Sequence, residues 1–437
     1  MSLLVRDCSW IVTQDSARSV LKNASIYVED GKITEIGGGI SHDADQAIDG
    51  HGMILLPGLV NTHTHVPMVI FRGYADDLLL QDWLSHKIWR LEPNMTEETC
   101  YWGTMLGCLE MIASGTTTFN DMYFFVESEA KAIRDIGIRA VLSSVIIDLT
   151  PDPKLHRDNA SKVLDFLKEI RNPLLTPAIA PHSVYSCSEE TLQWAKTRAD
   201  KEHVLVHTHI AETRKEQGDI ENKLGLKVVE YLDRIGFLGA NVVGAHCGWV
   251  SIKEVKLLGE SGTKVAHCPV SNMKLAVGGA APLPEMFESH VCVGLGTDGA
   301  ASNNTLDMFE TMKFCALLHK HTRWDPTILP AQTTLDLATR DGARVLGMEE
   351  TIGSIEVGKS ADMILLDTRA PNMMPIHGKN TVISDLVYSA NGANVDTTIV
   401  NGKVLMEKRR FKMLDPQAIS DNVDRVTQDL LARSQNA

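Results

Sequence analysis

From Leu59 to Gly299 the chain repeats one unit, a short apolar run of strand length followed by a longer stretch with helical spacing. Eight such runs can be read: "LVNTHTH", "TTTFNDM", "RAVLSSVII", "LTPAIAPH", "HVLVHTHIAE", "NVVGAHC", "TKVAHCPVS" and "VCVGLGTDG". Alternating patterns of this kind lay strands side by side in a parallel sheet covered by helices, and eight strands allow that sheet to close into a barrel. Most of the runs finish on a polar or ionisable residue. In a (β/α)8 barrel the C-terminal strand ends form the mouth, so these side chains would converge there.

The two ends of the chain resemble each other and differ from the middle. "ASIYVEDGKITEIG" alternates apolar and polar residues around Asp30-Gly31, and "DTTIVNGKVLMEKRRF" does so around Asn401-Gly402. Both dipeptides signal a two-residue hairpin turn. Neither end alone has enough strands to bury a face. The expected fold is therefore α/β: a (β/α)8 TIM barrel over residues 58–365, with a small β-sandwich domain built from residues 1–57 plus 366–437. From Asp415-Pro416 onward the sequence starts like a capped helix.

Composition narrows the range of partners. A formal net charge of -14 removes the electrostatic case for nucleic acid. No stretch approaches the roughly 18 to 20 apolar residues that span a bilayer, and the first residues lack the pattern of a secretory leader, so a cytoplasmic protein is expected. The eight cysteines form no C-x-x-C pair, which argues against a zinc ribbon or a redox motif and for reduced, mostly buried thiols. A small-molecule substrate is the expected partner, and homo-oligomerisation stays open.

"VNTHTHVPM" places two imidazoles at i and i+2, which project from the same face of a strand. A short His-x-His arises readily by chance, and a lone strand-end histidine is more often a core or loop residue than a ligand. Repetition changes this. His63 and His65 end the first strand, His209 and Glu212 the fifth, His246 the sixth and Asp298 the eighth. A core serving stability alone would prefer branched aliphatics at those positions. Histidines and carboxylates are ligands of open catalytic metal sites, where a divalent ion lowers the pKa of bound water from about 15.7 to roughly 7.

The neighbours are more ambiguous. His207 repeats the His-x-His spacing with His209, but a barrel mouth should take the more C-terminal of the two, leaving His207 packed or hydrogen-bonded beneath. His267 reads as a supporting or structural residue. His182 closes the fourth strand and reads as a substrate contact. Asp298 and Glu212 suit acid/base roles, and His246, not required as a ligand, can orient and polarise the water.

"PGLVNTHTH", "HIAET", "GAHC" and "GLGTDGAASNN" resemble, in order and spacing, the metal-dependent deaminases and chlorohydrolases of the amidohydrolase superfamily, and "IGSIEVGKSADMILLD" looks like its barrel-to-sandwich junction. The resemblance spans essentially the whole chain. "DWLSHKIWRLEPNMTEETCYWGTMLGCLEMIASGTTTFNDMYFF" is most similar to the 5'-methylthioadenosine/S-adenosylhomocysteine deaminases. That resemblance implies one divalent metal ion per subunit, zinc first and iron second, held by His63, His65, His209 and Asp298. It implies that Glu92 accepts hydrogen bonds from the ribose hydroxyls, that His182 contacts purine or sugar, and that Glu212 handles the ring-nitrogen proton while water activated by His246 and Asp298 attacks C6.

Glu92 also has a rationale of its own, because a carboxylate is a bidentate acceptor for a cis-diol. Trp83 and Trp89 are pocket candidates, although tryptophans at that spacing are more often core. Some members of the family carry an arginine after the third strand, suited to an amino-acid carboxylate; "VLSSVIID" has Ser143 and Ser144 there, with Arg157 as a substitute that the sequence does not place. The expected reaction is hydrolytic deamination of the adenine base of an adenosine-type nucleoside. Hydrolysis of a triazine, pterin or guanine-type ring is the alternative, distinguished by what Glu92 would bind. A non-catalytic scaffold would have lost ligands, and every ligand position here is filled.

Overall fold

The computed structural model describes residues 1–148 and 153–435. Each of the eight runs forms a strand: Leu59–Thr64, Thr116–Tyr123, Arg139–Ile146, Leu175–Pro181, Leu205–Ile210, Val242–His246, Lys264–His267 and Val293–Leu295. They pair in sequence order, all parallel. Helices occupy the intervening segments and bury one face each. In Val126–Ile136 the buried Ala130, Ile133 and Ile136 follow the helical period, acidic residues sit in the first turn, and Gly137 ends the helix at a φ of 92°.

The first and last strands meet without a regular ladder. Thr62 Oγ1 donates to the Leu295 carbonyl at 2.9 Å, Asn61 and Thr297 exchange bonds of 2.7 and 3.0 Å, and the Asp298 N–H donates to the His63 carbonyl at 3.0 Å. The eight-stranded parallel sheet is thus a nearly closed barrel, its seam held by side chains and one backbone bond.

The termini build a separate mixed sheet of nine strands. Met53–Pro57 pairs with Ser2–Val12 on one side and with Met363–Asp367 on the other, so the two ends of the chain interleave at its centre. Both predicted hairpins are present, with φ of 48° and 80° at Asp30 and Gly31 and of 49° and 73° at Asn401 and Gly402. Positive φ at both central residues is what a type I′ turn requires. The two turns abut: a Cβ on Gly31 would lie 2.8 Å from the Asn401 carbonyl oxygen.

Two features join sheet and barrel. Gly58 alone separates Met53–Pro57 from the first barrel strand, and a Cβ there would overlap the Thr117 side chain at 2.0 Å. Arg139, opening the third barrel strand, forms a buried bidentate pair with Asp362 at 2.8 and 3.1 Å. The C-terminal helix Pro416–Gln435 is capped by Asp415, whose Oδ1 accepts from the N–H groups of Gln417 and Ala418. It buries Ile419, Val423, Val426 and Leu430, and Arg425 reaches Glu98 on the helix Glu97–Ala113 at 2.5 Å.

Candidate metal centre and substrate pocket

Strand geometry brings His63, His65, His209 and Asp298 to one point at the barrel mouth. His63 and His65 project together, as residues two apart on a strand must. His65 Nε2 lies 3.3 Å from His209 Nε2, and Asp298 Oδ1 lies 3.3 and 3.4 Å from the Nε2 atoms of His63 and His65. Ligands bound at about 2.0–2.1 Å around one tetrahedral ion are separated by about 3.3–3.4 Å, so these spacings match the edges of such a tetrahedron. His63 Nε2 is buried and has no hydrogen-bond partner, the state of a ligand atom aimed at a metal position. His246 belongs to the same cluster with His63 and Asp298, so the geometry admits it as a fifth donor.

Each imidazole is fixed from behind through its other nitrogen. His65 Nδ1 meets the Met122 carbonyl at 2.8 Å, His209 Nδ1 the His182 carbonyl at 2.8 Å, and His246 Nδ1 the Asn272 Oδ1 at 2.9 Å. A carbonyl accepts only from an N–H, which in the neutral ring turns the Nε2 lone pairs of His65 and His209 toward the cluster. His63 Nδ1 pairs with His207 Nε2 at 2.7 Å. His207 therefore lies beneath the cluster as expected, but supports His63 rather than its neighbour His209.

Asp298 lies beyond the last strand rather than at its end, at a φ of 62°, and His246 has a φ of 72°. Such left-handed backbone in non-glycine residues costs on the order of 1–3 kcal/mol each and persists where surrounding structure enforces it. For Asp298 the enforcement is its backbone bond to His63 and the hydroxyls of Ser271 and Ser302, which donate to Oδ2 at 2.6 and 3.0 Å.

Electrostatics separates the carboxylates. Burial pushes the Asp298 carboxyl up, but His63 and the other imidazoles outweigh it and hold it well below the usual range. Glu212 is raised by burial and Glu92 is raised by burial to about 7, with the Tyr123 hydrogen bond pulling the latter back. Burial lowers His63 to about 4 and His182 to about 3 and pushes His209 well down, so these imidazoles remain neutral. Carboxylates held apart in this way can divide acid and base work.

A cleft of ≈ 690 Å³, partly open to solvent, rises from this cluster. His182, Glu212, His246 and Glu92 line it together with His65, His209 and Asp298 of the cluster. Glu92 stands in a broken helical segment between Leu80 and Asn94 and accepts from the Tyr123 hydroxyl at 2.9 Å. Trp83 is buried and Trp89 is 46% exposed, and both line the cleft; core packing accounts for the first alone. At the end of the third strand Val145, and Ile147 just beyond it, line the cleft, not Ser143 and Ser144; the Ser143 hydroxyl donates to the Asp121 carbonyl at 2.8 Å. Arg157 lies in a neighbouring polar cleft, paired with Glu190 at 2.6 Å. Among the described residues the main cleft is lined by no lysine or arginine.

Sequence reading missed Tyr123, Asn272, Ser271 and Ser302. Tyr123 follows "FNDM" on the second strand, and its place at the strand end was a usable signal. Asn272, Ser271 and Ser302 sit in short helices after the seventh and eighth strands, where a contact to His246 or Asp298 leaves no periodic trace.

This barrel and centre define a class. The sequence profile of the amidohydrolase family matches residues 54–405, and the chain belongs to that family. It is 44% identical over 409 residues to a 5'-deoxyadenosine deaminase of Methanobrevibacter smithii, covering 93% of each chain. It is 42% identical over 408 residues to a 5-methylthioadenosine/S-adenosylhomocysteine deaminase of Thermococcus sibiricus, covering 93% of this chain and 94% of the relative. Among solved structures, an adenosine deaminase from Xanthomonas campestris with bound zinc superposes with a TM-score of 0.93 at 33% identity, covering 100% of this chain and 99% of that one.

Proposed function

We propose that this chain is a metal-dependent hydrolase that deaminates the adenine base of adenosine-type nucleosides to the inosine analogue and ammonia. The observation that carries the reading is the placement of the Glu92 carboxylate in the same cleft as His65, His209 and Asp298 of the ligand cluster. A flat ring without ribose offers that carboxylate no diol, which disfavours the triazine and pterin alternative.

In this reading His63, His65, His209 and Asp298 hold one divalent ion, zinc in first place. Once bound, the ion lowers the pKa of a coordinated water toward neutrality. Glu212, whose carboxyl burial pushes up, donates a proton to N1 of the purine as water adds at C6. His246, held by Asn272, orients that water. Asp298 takes up one proton of the water and passes it to the departing amine, which leaves as ammonia, and the C6 hydroxyl proton released as the carbonyl forms restores Glu212. Glu92 binds the ribose hydroxyls, and His182 contacts the base or sugar. The absence of a lysine or arginine among the described residues of the cleft lining favours nucleosides with an uncharged 5' group, 5'-deoxyadenosine, 5'-methylthioadenosine or adenosine, over S-adenosylhomocysteine, whose carboxylate would lack an ion pair. With this goes a division into a barrel body, residues 58–365, and a terminal body. A cytoplasmic location suits the eight free cysteines.

The test is ammonia release from adenosine analogues varied only at the 5' position, compared with Glu212→Gln. The variant should keep its metal and lose nearly all turnover. Retained turnover would remove Glu212 from the proton transfer.

A further inference from the structure

Behind the barrel wall lies a second group of metal-ligating side chains. His267 ends the seventh strand, and Cys315 and His319 are one turn apart on the helix Met308–Arg323, hence on the same face. Strand alternation puts Ala266 with the barrel-interior cluster and turns His267 the other way, where it meets His319. We propose that His267, Cys315 and His319 form a second metal site, for a thiophilic d10 cation of the zinc class, that ties the seventh strand to this helix.

One donor atom from each of the three residues lies within 4.8 Å of the others. The two Nε2 atoms are 3.2 Å apart, close to the His65–His209 separation of 3.3 Å in the main cluster and to the edge of a zinc tetrahedron. His267 and Cys315 are 0% exposed and His319 is 1% exposed. A hydrogen bond between the imidazoles would be the simplest alternative. It would give Cys315 no part, whereas His267 Nδ1, buried without a partner, is equally unpaired in both arrangements.

The donor set selects the ion. Two neutral imidazoles and one sulfur suit zinc and similar borderline or soft cations over magnesium or calcium, which favour oxygen. Burial keeps both imidazoles in the neutral, ligating form and keeps the thiol protonated without metal. Binding breaks the S–H bond, forms an S–metal bond and releases one proton to solvent, with no change in oxidation state. The three protein donors leave one tetrahedral position for water.

The site predicts two ions per chain instead of one. The full-length protein, stripped of metal and reloaded under reducing conditions with zinc or cobalt(II), should bind two equivalents. Cys315→Ser and His319→Gln should each bind one and keep catalytic activity. His63→Ala should also bind one, while losing activity. Cobalt-loaded His63→Ala should show a thiolate-to-cobalt charge-transfer band, absent in the double variant with Cys315→Ser, and its Tm should rise on loading only while Cys315 is present. One equivalent in the wild type, lost entirely in His63→Ala with no such band, would overturn the proposal. A band that survives Cys315→Ser would overturn it too, because the thiolate would then be another cysteine.

Discussion

The Tyr123 hydroxyl donates to the Glu92 carboxylate at 2.9 Å, so the group proposed to bind ribose is oriented from the second barrel strand rather than by its own helical segment. Burial raises Glu92 to about 7 and this hydrogen bond opposes the rise. In Tyr123→Phe the pKa should climb further, and less carboxylate remains at neutral pH. The KM for a nucleoside should increase about tenfold, in line with a charge-assisted hydrogen bond worth ~1.5 kcal/mol. The increase should grow as the pH falls, with kcat little changed. Steady-state kinetics across pH 6 to 9 measures this directly; a KM that does not move would detach Tyr123 from substrate binding.

Asn272 accepts from His246 at 2.9 Å and fixes which nitrogen faces the cleft. Asn272→Ala should lower kcat by about 10- to 100-fold, the usual effect of removing a partner that orients a site histidine. Metal content and KM should stay near wild type, which separates misorientation from loss of the centre.

The Arg139–Asp362 pair is buried on both sides and bridges the barrel to the terminal sheet. Arg139→Met leaves the Asp362 charge buried without its partner. Unfolding free energy should fall by about 3–5 kcal/mol. Urea denaturation reads the change, and Asp362→Asn with Arg139→Met should recover part of it, because the uncompensated charge is then gone.

Removal of metal by a chelator should abolish turnover and lower Tm, and zinc should restore both. Stabilisation by a bound ligand grows with the logarithm of its concentration over Kd. Reloading at several zinc concentrations should therefore trace a graded Tm, and a Tm blind to chelation would argue against the ligand cluster.

All eight barrel strands were legible because hydrophobic runs alternated with helical spacing and because most runs ended on a polar or ionisable residue. The terminal hairpins were legible from two dipeptides, Asp30-Gly31 and Asn401-Gly402, whose positive φ few other residues tolerate. His63, His65, His209, His246 and Asp298 were found as strand-end groups, and the structure brings them together. What escaped was contact between distant segments. His207 was expected beneath the cluster, but its bond to His63 depends on how two strands face across the barrel. Ser143 and Ser144 were named where some family members carry an arginine; strand alternation puts Ser143 on the same face as Val145, but its hydroxyl is tied to the Asp121 carbonyl, and Val145 and Ile147 line the cleft.

The barrel seam has a consequence for synthesis on the ribosome. His63 emerges early and Asp298 late, and the bond from the Asp298 N–H to the His63 carbonyl forms only when the last strand is laid beside the first. Until then the nascent chain holds histidines but lacks the carboxylate that completes their set. With the proposed ligand set, tight metal capture would report that the circle has closed, and a prematurely truncated chain would lack the full centre.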